Sequence, residues 1–329
     1  MYFLLPIISF VLTLGLLEAF LRMDVLTRIQ DIPNERSLHE RSVPRIGGLA
    51  LMGGALTAFV CQPREIVWCV LVPTVLLIAI SVIDDTRGLS VRWRLLAHIA
   101  AAIPFAVKVF LPTYGWIVLI LVFLAIVWMT NLYNFMDGSD GLAGGMALIG
   151  FSFYGLAGLM HEDIPFASLC FCVAASAIAF LHYNFNPARV FMGDAGSIPL
   201  GFLAAALGLM GWQKDFWPFW FPILVFSPFV GDASVTLLRR LLQGNSVGQA
   251  HKEHYYQRLV RMGWGHKKTA LVEYLLMVSA GCSAIWGITV SAMLQFVLLF
   301  AWVAIYIAAM MIIDVRWSRH HFKKSDVND

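Results

Sequence analysis

Charge is scarce in this chain. Asp, Glu, Lys and Arg make up 13% of its 329 residues and hydrophobic side chains 60%, whereas a soluble globular domain carries about 25% charged residues. Mean hydropathy is +0.76. Cysteine is also sparse: the five (Cys61, Cys69, Cys170, Cys172, Cys282) lie in or at the edges of apolar runs. Their odd count and their spacing exclude a disulfide framework and a clustered zinc site, leaving small hydrophobes. There is no Walker A sequence, and no G-x-G-x-x-G follows a strand, so a soluble nucleotide fold is excluded. No A-x-A-like cleavage site follows the first apolar run, which Arg22 and Asp24 bound instead, so the run reads as a span rather than a signal peptide. Internal repeats, low-complexity tracts and polar linkers are missing. Residues 1–329 read as a single polytopic membrane domain.

What is abundant is apolar sequence of membrane-spanning length. Eleven runs recur, at roughly 2–21, 46–61, 66–83, 95–111, 116–130, 142–160, 166–183, 197–212, 216–238, 269–289 and 293–313. They lack the alternation of a membrane barrel and exceed its strand length. The expectation is an all-α integral membrane protein with about eleven transmembrane helices. The second and eighth runs are short for a hydrocarbon core that needs about 20 helical residues. Lys and Arg are distributed unevenly between the loops. The loops after spans 1, 3, 5, 7 and 9 and the C-terminal tail hold 5, 3, 0, 1, 7 and 4, which is 20 of the 23. By the positive-inside rule these loops and the C-terminus are expected in the cytoplasm and the N-terminus outside.

The polar clusters fall in the same loops. The first loop carries PNERSLHERSVPRIGG (Pro33–Gly48), and the third span ends on Asp84-Asp85 followed by Arg87, Arg92 and Arg94. A helix C-terminus already carries partial negative charge, so adjacent carboxylates there call for a nearby cation or are merely solvated. NLYNFMDGSDGLAGG (Asn131–Gly145) repeats Asn131, Asn134, Asp137 and Asp140 every third residue, with Gly138 and Gly141 allowing close backbone approach. Hard oxygen ligands of this kind suit Mg²⁺ or Mn²⁺. An EF-hand does not fit, because no Glu stands at the twelfth position. An ordinary turn does fit, with Asp140 capping the next helix. NFNPARVFMGDAGS (Asn184–Ser197) supplies Asp194, either a helix cap or a further metal carboxylate. HKEHYYQRL (His251–Leu259) places His251 and His254 three apart among Lys252, Arg258 and Arg261, which reads more as an anion clamp than as a pair of zinc ligands. Carboxylates for a divalent ion and cationic side chains for phosphate suggest metal-assisted phosphoryl transfer at a membrane surface.

With these five motifs in this order, the chain resembles the polyprenyl-phosphate N-acetylhexosamine-1-phosphate transferases (glycosyltransferase family 4) over nearly its whole length. That family includes the enzymes that initiate O-antigen, enterobacterial common antigen and teichoic acid linkage units, with the lipid I synthase of peptidoglycan a more distant member. The resemblance implies ten or eleven helices around a cytoplasm-facing cleft in the bacterial inner membrane. It implies Mg²⁺-dependent transfer of N-acetylhexosamine-1-phosphate from a UDP-sugar to undecaprenyl phosphate, releasing UMP. By the same resemblance Asp194 binds the metal with help from Asn134, while Asp137, Asp140 and Phe191 surround the uridine and pyrophosphate. His251 and His254 match a histidine motif proposed to contact pyrophosphate or sugar. Asp84, with Asp85 beside it, matches a carboxylate proposed as general base or acceptor organiser. Arg36, His39, Arg45, Asn131 and Gly138 are further substrate-binding candidates.

The H-K-E-H pattern in place of consecutive histidines, and VPRIGG in the first loop, set the chain apart from lipid I synthase and toward the polysaccharide-initiating branch. The expected partners are a UDP-N-acetylhexosamine, undecaprenyl phosphate and the bilayer, with no nucleic acid; homodimer formation stays open. The competing class is a transporter or flippase, which would place ionisable groups near the midplane. Glu18, His98, Lys108 and His182 stand within the runs, while most of the carboxylates gather at one end.

Overall fold

In hydrocarbon every backbone N–H and C=O must find a partner within the chain, so long apolar runs become helices. The computed structural model describes residues 2–23, 30–31, 38, 42–62, 65–245 and 251–325. In chain order its helices are α1 (Leu5–Arg22), α2 (Gly47–Ala55), α3 (Thr57–Cys61), α4 (Glu65–Arg87), α5 (Val91–Phe135), α6 (Leu142–Met160), α7 (Ile164–Asn184), α8 (Asp194–Gln213), α9 (Trp220–Val225), α10 (Ser227–Leu242), α11 (Tyr255–Leu259), α12 (Gly265–Gly287) and α13 (Ala292–Ser325). Two-residue strands β1 (Gln30–Asp31) and β2 (Val43–Pro44) pair antiparallel in the first loop. Among the described residues eight helices are long and apolar enough to cross a membrane.

One of the eight is two spans. A straight helix would place residues 98 and 131 of α5 about 50 Å apart, yet the His98 and Asn131 side chains are near enough to interact. The helix therefore folds back on itself. The reversal lies at Gly115, whose φ of 72° and ψ of −172° are not helical, just after Pro112 has removed a backbone donor. The separate runs at 95–111 and 116–130 are its two arms.

Two other runs are not single spans. The short run at 46–61 is the pair α2 and α3, divided at Leu56. The run at 216–238 contains α9 and the start of α10, divided at Phe226, with Pro228 in the first turn of α10. Hydropathy registers that a segment is apolar; it is blind to a break that neighbouring helices can satisfy.

Burial sorts the helices. The most apolar window of α8 is 89% buried and that of α13 only 6%, so α8 is the central post and α13 a peripheral one. Close packing at the loop end depends on glycine. The N–H groups of Gly47 and Gly48 donate to the carbonyls of Phe191 and Met192 at 2.9 and 2.8 Å, and the Phe191 N–H donates to Pro44 O at 2.8 Å. This brings α2 backbone to backbone with the start of α8. A Cβ on Gly48 would lie 2.5 Å from Gly196 Cα and from the Met192 carbonyl oxygen. Gly48→Ala is therefore expected to cost about 3 kcal/mol through overpacking against backbone that cannot yield. Gly15→Ala, with nothing within 4 Å, should leave thermal unfolding in detergent unchanged; equal midpoints for the two variants would refute the interlock.

Candidate active site

The Gly47–Phe191 pairing makes VPRIGG and FMGDAGS a single backbone unit, and the NLYNFMDGSDG turn is tied to it by side chains. Asn184 accepts the Gly141 N–H at 3.0 Å and donates to the Val190 carbonyl at 2.9 Å. Asp140 Oδ2 accepts from Asn186 Nδ2 at 2.8 Å and from the Ala188 N–H at 3.1 Å. Asp140 thus grips the loop before α8 and does not cap α6, whose N-cap is Gly141 with φ of 76°. Asp194 does not cap α8 either: Gly193 is the N-cap, and Asp194 stands in the first helical turn. Its carboxylate is left to face the cleft.

That cleft is a cavity of about 270 Å³ at the loop end of the bundle. The first loop contributes Asp31, Leu38 and Arg45, the turn after α5 contributes Asn134, Asp137, Gly138, Ser139 and Asp140, and the segment before α8 contributes Asn184, Phe191, Gly193 and Asp194. Gln257 and His266 complete it from the last loop. Asp84 and Asp85 join through arginine. Arg45 contacts Asp31 at 2.7 Å and Asp85 at 3.8 Å, and Arg94 contacts Asp84 at 3.3 Å and Asp194 at 3.5 Å. The cation that two adjacent carboxylates at a helix end require is therefore present twice. Asp84 also accepts the Leu89 N–H at 2.6 Å, and Asp85 the Ala195 N–H in the first turn of α8 at 3.4 Å.

Five carboxylates (Asp31, Asp84, Asp85, Asp137, Asp194) here share two described guanidinium groups. The strain of that imbalance shows at Asp137. Burial first, then the charge of Asp194 and that of Asp85, push its carboxyl well above the usual carboxylate range, against the pull of Arg45. Asn134 stands near enough to the Asp194 carboxylate to favour its charged form. No group of three or more His, Cys, Asp or Glu side chains forms a ready metal cage among the described residues. The donor set nevertheless fits Mg²⁺ or Mn²⁺, which are held by one or two carboxylates and complete their octahedron with water and substrate phosphate oxygens.

The structure separates the sequence candidates into groups. Arg45, Asn134, Asp137, Gly138, Asp140, Phe191 and Asp194 line the cavity, and Asp84 and Asp85 stand behind it. Asn131 does not line it. Residues three apart on an α-helix diverge by about 60°, so Asn131 turns toward His98 and donates to the Val127 carbonyl at 2.7 Å. Arg36 and His39 lie outside the described residues.

His251 and His254 are also set apart from the cavity lining. His254 is 3% exposed, stacked on Phe135 and Tyr256, with Nδ1 3.1 Å from Asp232. Burial, with His254 and Arg240 nearby, pushes His251 down to about 4, so at neutral pH it is an uncharged imidazole. Arg258 donates to Asp314 and to the Glu253 carbonyl, Arg261 donates to the Lys252 carbonyl, and both lie over the Trp317 ring. These contacts pin α11 to α13. Helix α11 meets the cavity through Gln257 and through Tyr256, whose hydroxyl donates to Phe135 O at 3.2 Å and stands where a Cβ on Gly138 would collide.

Two site residues escaped the sequence reading. Asp232 on α10, 5% exposed, accepts the N–H groups of Tyr255 and Tyr256 at 2.9 Å, the Thr236 hydroxyl at 3.1 Å and the His254 ring. His266 Nε2 lies 3.2 Å from the Leu38 carbonyl, an acceptor only, so Nδ1 accepts from the Ser139 hydroxyl at 2.9 Å and the Asp140 N–H at 3.4 Å. Asp232 is hidden inside an apolar run. His266, beside Lys267 and Lys268, looks like the basic edge of a span.

The family model described as glycosyl transferase family 4 matches residues 67–212. Over 274 residues the chain is 32% identical to a probable undecaprenyl-phosphate N-acetylglucosaminyl 1-phosphate transferase of Bacillus subtilis, covering 78% of this chain and 76% of that protein. The chain belongs to glycosyl transferase family 4. A decaprenyl-phosphate N-acetylglucosaminephosphotransferase of Mycobacterium leprae is 31% identical, with 74% of this chain and 73% of that protein aligned. A phospho-N-acetylmuramoyl-pentapeptide-transferase of Staphylococcus aureus is 28% identical over 85% of this chain and 96% of its own. The family 4 match runs from α4 through α8, and so contains Asp84, Asp85, the turn after α5 and Asp194.

Proposed function

We propose that this family 4 enzyme transfers N-acetylhexosamine-1-phosphate from a UDP-sugar to undecaprenyl phosphate, releasing UMP and starting a cell-surface polysaccharide on its lipid carrier. The observation that carries the reading is that Asn134, Asp137 and Asp194 face one cavity in a chain similar to proteins named for polyprenyl-phosphate sugar-1-phosphate transfer. A cavity so rich in carboxylate repels a diphosphate unless a divalent cation joins them. Asp194 and Asn134 are the residues to hold Mg²⁺, or Mn²⁺ in its place, which supplies charge neutralisation at the diphosphate. The charge distribution of the loops supports a cytoplasmic site with the N-terminus outside. H-K-E-H and VPRIGG support the polysaccharide-initiating branch.

In the direct route an oxygen of the lipid phosphate bonds to the β-phosphorus of the UDP-sugar. The bond from that phosphorus to the α–β bridging oxygen breaks, and UMP leaves with the electron pair. A phosphate monoester has a second pKa near about 6 and is already mostly dianionic at neutral pH, so no base is required. The contacts of Asp84 with the Leu89 N–H and Arg94 support a part in orienting the acceptor. Incubating purified protein with undecaprenyl phosphate and a panel of UDP-N-acetylhexosamines should give Mg²⁺-dependent UMP and lipid product with at least one donor. No UMP from any donor with folded protein would refute the reading. His266→Ala, which frees Leu38 and the Ser139–Asp140 turn, should raise KM for the UDP-sugar about tenfold and leave kcat within about threefold; an unchanged donor KM would remove His266 from the donor side.

A further inference from the structure

His98 is outside the cleft and unused by the reaction. It sits on α5 one turn beyond Arg94, 5% exposed, and its Nδ1 has no hydrogen-bond partner among the described residues. Asn131 stands beside the ring, with its own Nδ2 donated to the Val127 carbonyl. A buried polar atom without a partner costs about 1–3 kcal/mol. His98 also lines a cavity of about 10 Å³ whose polar wall is Ser81, Asp84 and Arg94. A water needs at least about 10–15 Å³ and two to four polar partners, and this space offers four.

We propose that this cavity binds one water and that His98, acting through it, is a positioning residue for Arg94. The water donates to His98 Nδ1 and to Asp84, and accepts from the Ser81 hydroxyl and the Arg94 guanidinium. Arg94 is nearly equidistant from Asp84 and Asp194, at 3.3 and 3.5 Å, so a small pull decides which carboxylate it favours. The water holds it on the Asp84 side. Without it, Arg94 closes on Asp194 and competes with a divalent cation for that carboxylate. The inference rests on the proposed reaction only in giving Asp194 to the metal.

The test is Mn²⁺ binding to the purified full chain, followed by electron paramagnetic resonance. His98→Leu should bind Mn²⁺ about tenfold more weakly than wild type, and His98→Gln, which restores an acceptor, should come within about threefold. Ser81→Ala, which removes one partner of the water and little bulk, should weaken binding about threefold and gives the answer even where His98→Leu folds poorly. Equal Mn²⁺ affinity in wild type, His98→Leu and Ser81→Ala would overturn the proposal, as would a His98→Gln variant no better than His98→Leu. Because the readout is ion binding, it stays interpretable if wild-type protein makes no UMP, the outcome that refutes the reaction instead.

Discussion

Asp194→Asn is expected to release UMP at less than about one-thousandth of the wild-type rate while unfolding at the wild-type temperature in detergent. A thousandfold loss corresponds to about 4 kcal/mol of barrier, the scale of an interaction that metal-assisted charge neutralisation supplies. The fold should not suffer, for three reasons. Asp194 makes no capping bond, its partners are the cleft groups Arg94 and Asn134, and α8 is held by its buried flanks and the Gly48–Gly196 interlock. Raising Mg²⁺ should recover part of the activity if the amide still ligates weakly. Turnover near wild type at ordinary Mg²⁺ would take Asp194 out of the site.

Asp232→Ala should cost both stability and catalysis. The carboxylate accepts four hydrogen bonds from Tyr255 N, Tyr256 N, Thr236 and His254, and alanine leaves buried donors unpaired at about 1–3 kcal/mol each, not additively. The start of α11 loosens, and with it Gln257 at the cavity and Tyr256 against Gly138. We expect a clear drop in unfolding temperature and about a hundredfold loss of UMP release. Thr236→Val, which deletes one of the four bonds, should cost about 1 kcal/mol and little activity. If Asp232→Ala kept wild-type turnover, the histidine segment would not depend on this anchor for its place beside the cleft.

Much of the architecture is legible in the sequence because membrane helices are written locally, as runs of apolar residues between charged ends. The breaks at Leu56 and Phe226 are not, since each is stabilised by what packs around it. The fold-back at Gly115 was visible as a gap between two runs, with Pro112 and Gly115 marking it. Within the site, Asp137 and Asp194 stand out because charge clusters beside glycine where the chain otherwise avoids charge. His251 and His254 stood out as a polar cluster, but the anchor of His254, Asp232, is one carboxylate inside an apolar run some twenty residues away. Glu18, unexplained from sequence, accepts a hydrogen bond from Tyr183 of α7 and lies 3.7 Å from Arg22. The Tyr183 contact is long-range, and no periodicity announces it.

The central claim is that the cleft carboxylates gather a divalent ion together with a nucleotide diphosphate. Mn²⁺-loaded protein mixed with UDP-N-acetylglucosamine in the absence of lipid acceptor tests it directly, through the phosphorus couplings of the bound ion in electron–nuclear double resonance. The account predicts ³¹P coupling in wild type and none in Asp194→Asn. Mn²⁺ bound to wild type without phosphorus coupling for any UDP-sugar tried, or coupling that survives Asp194→Asn unchanged, would contradict it.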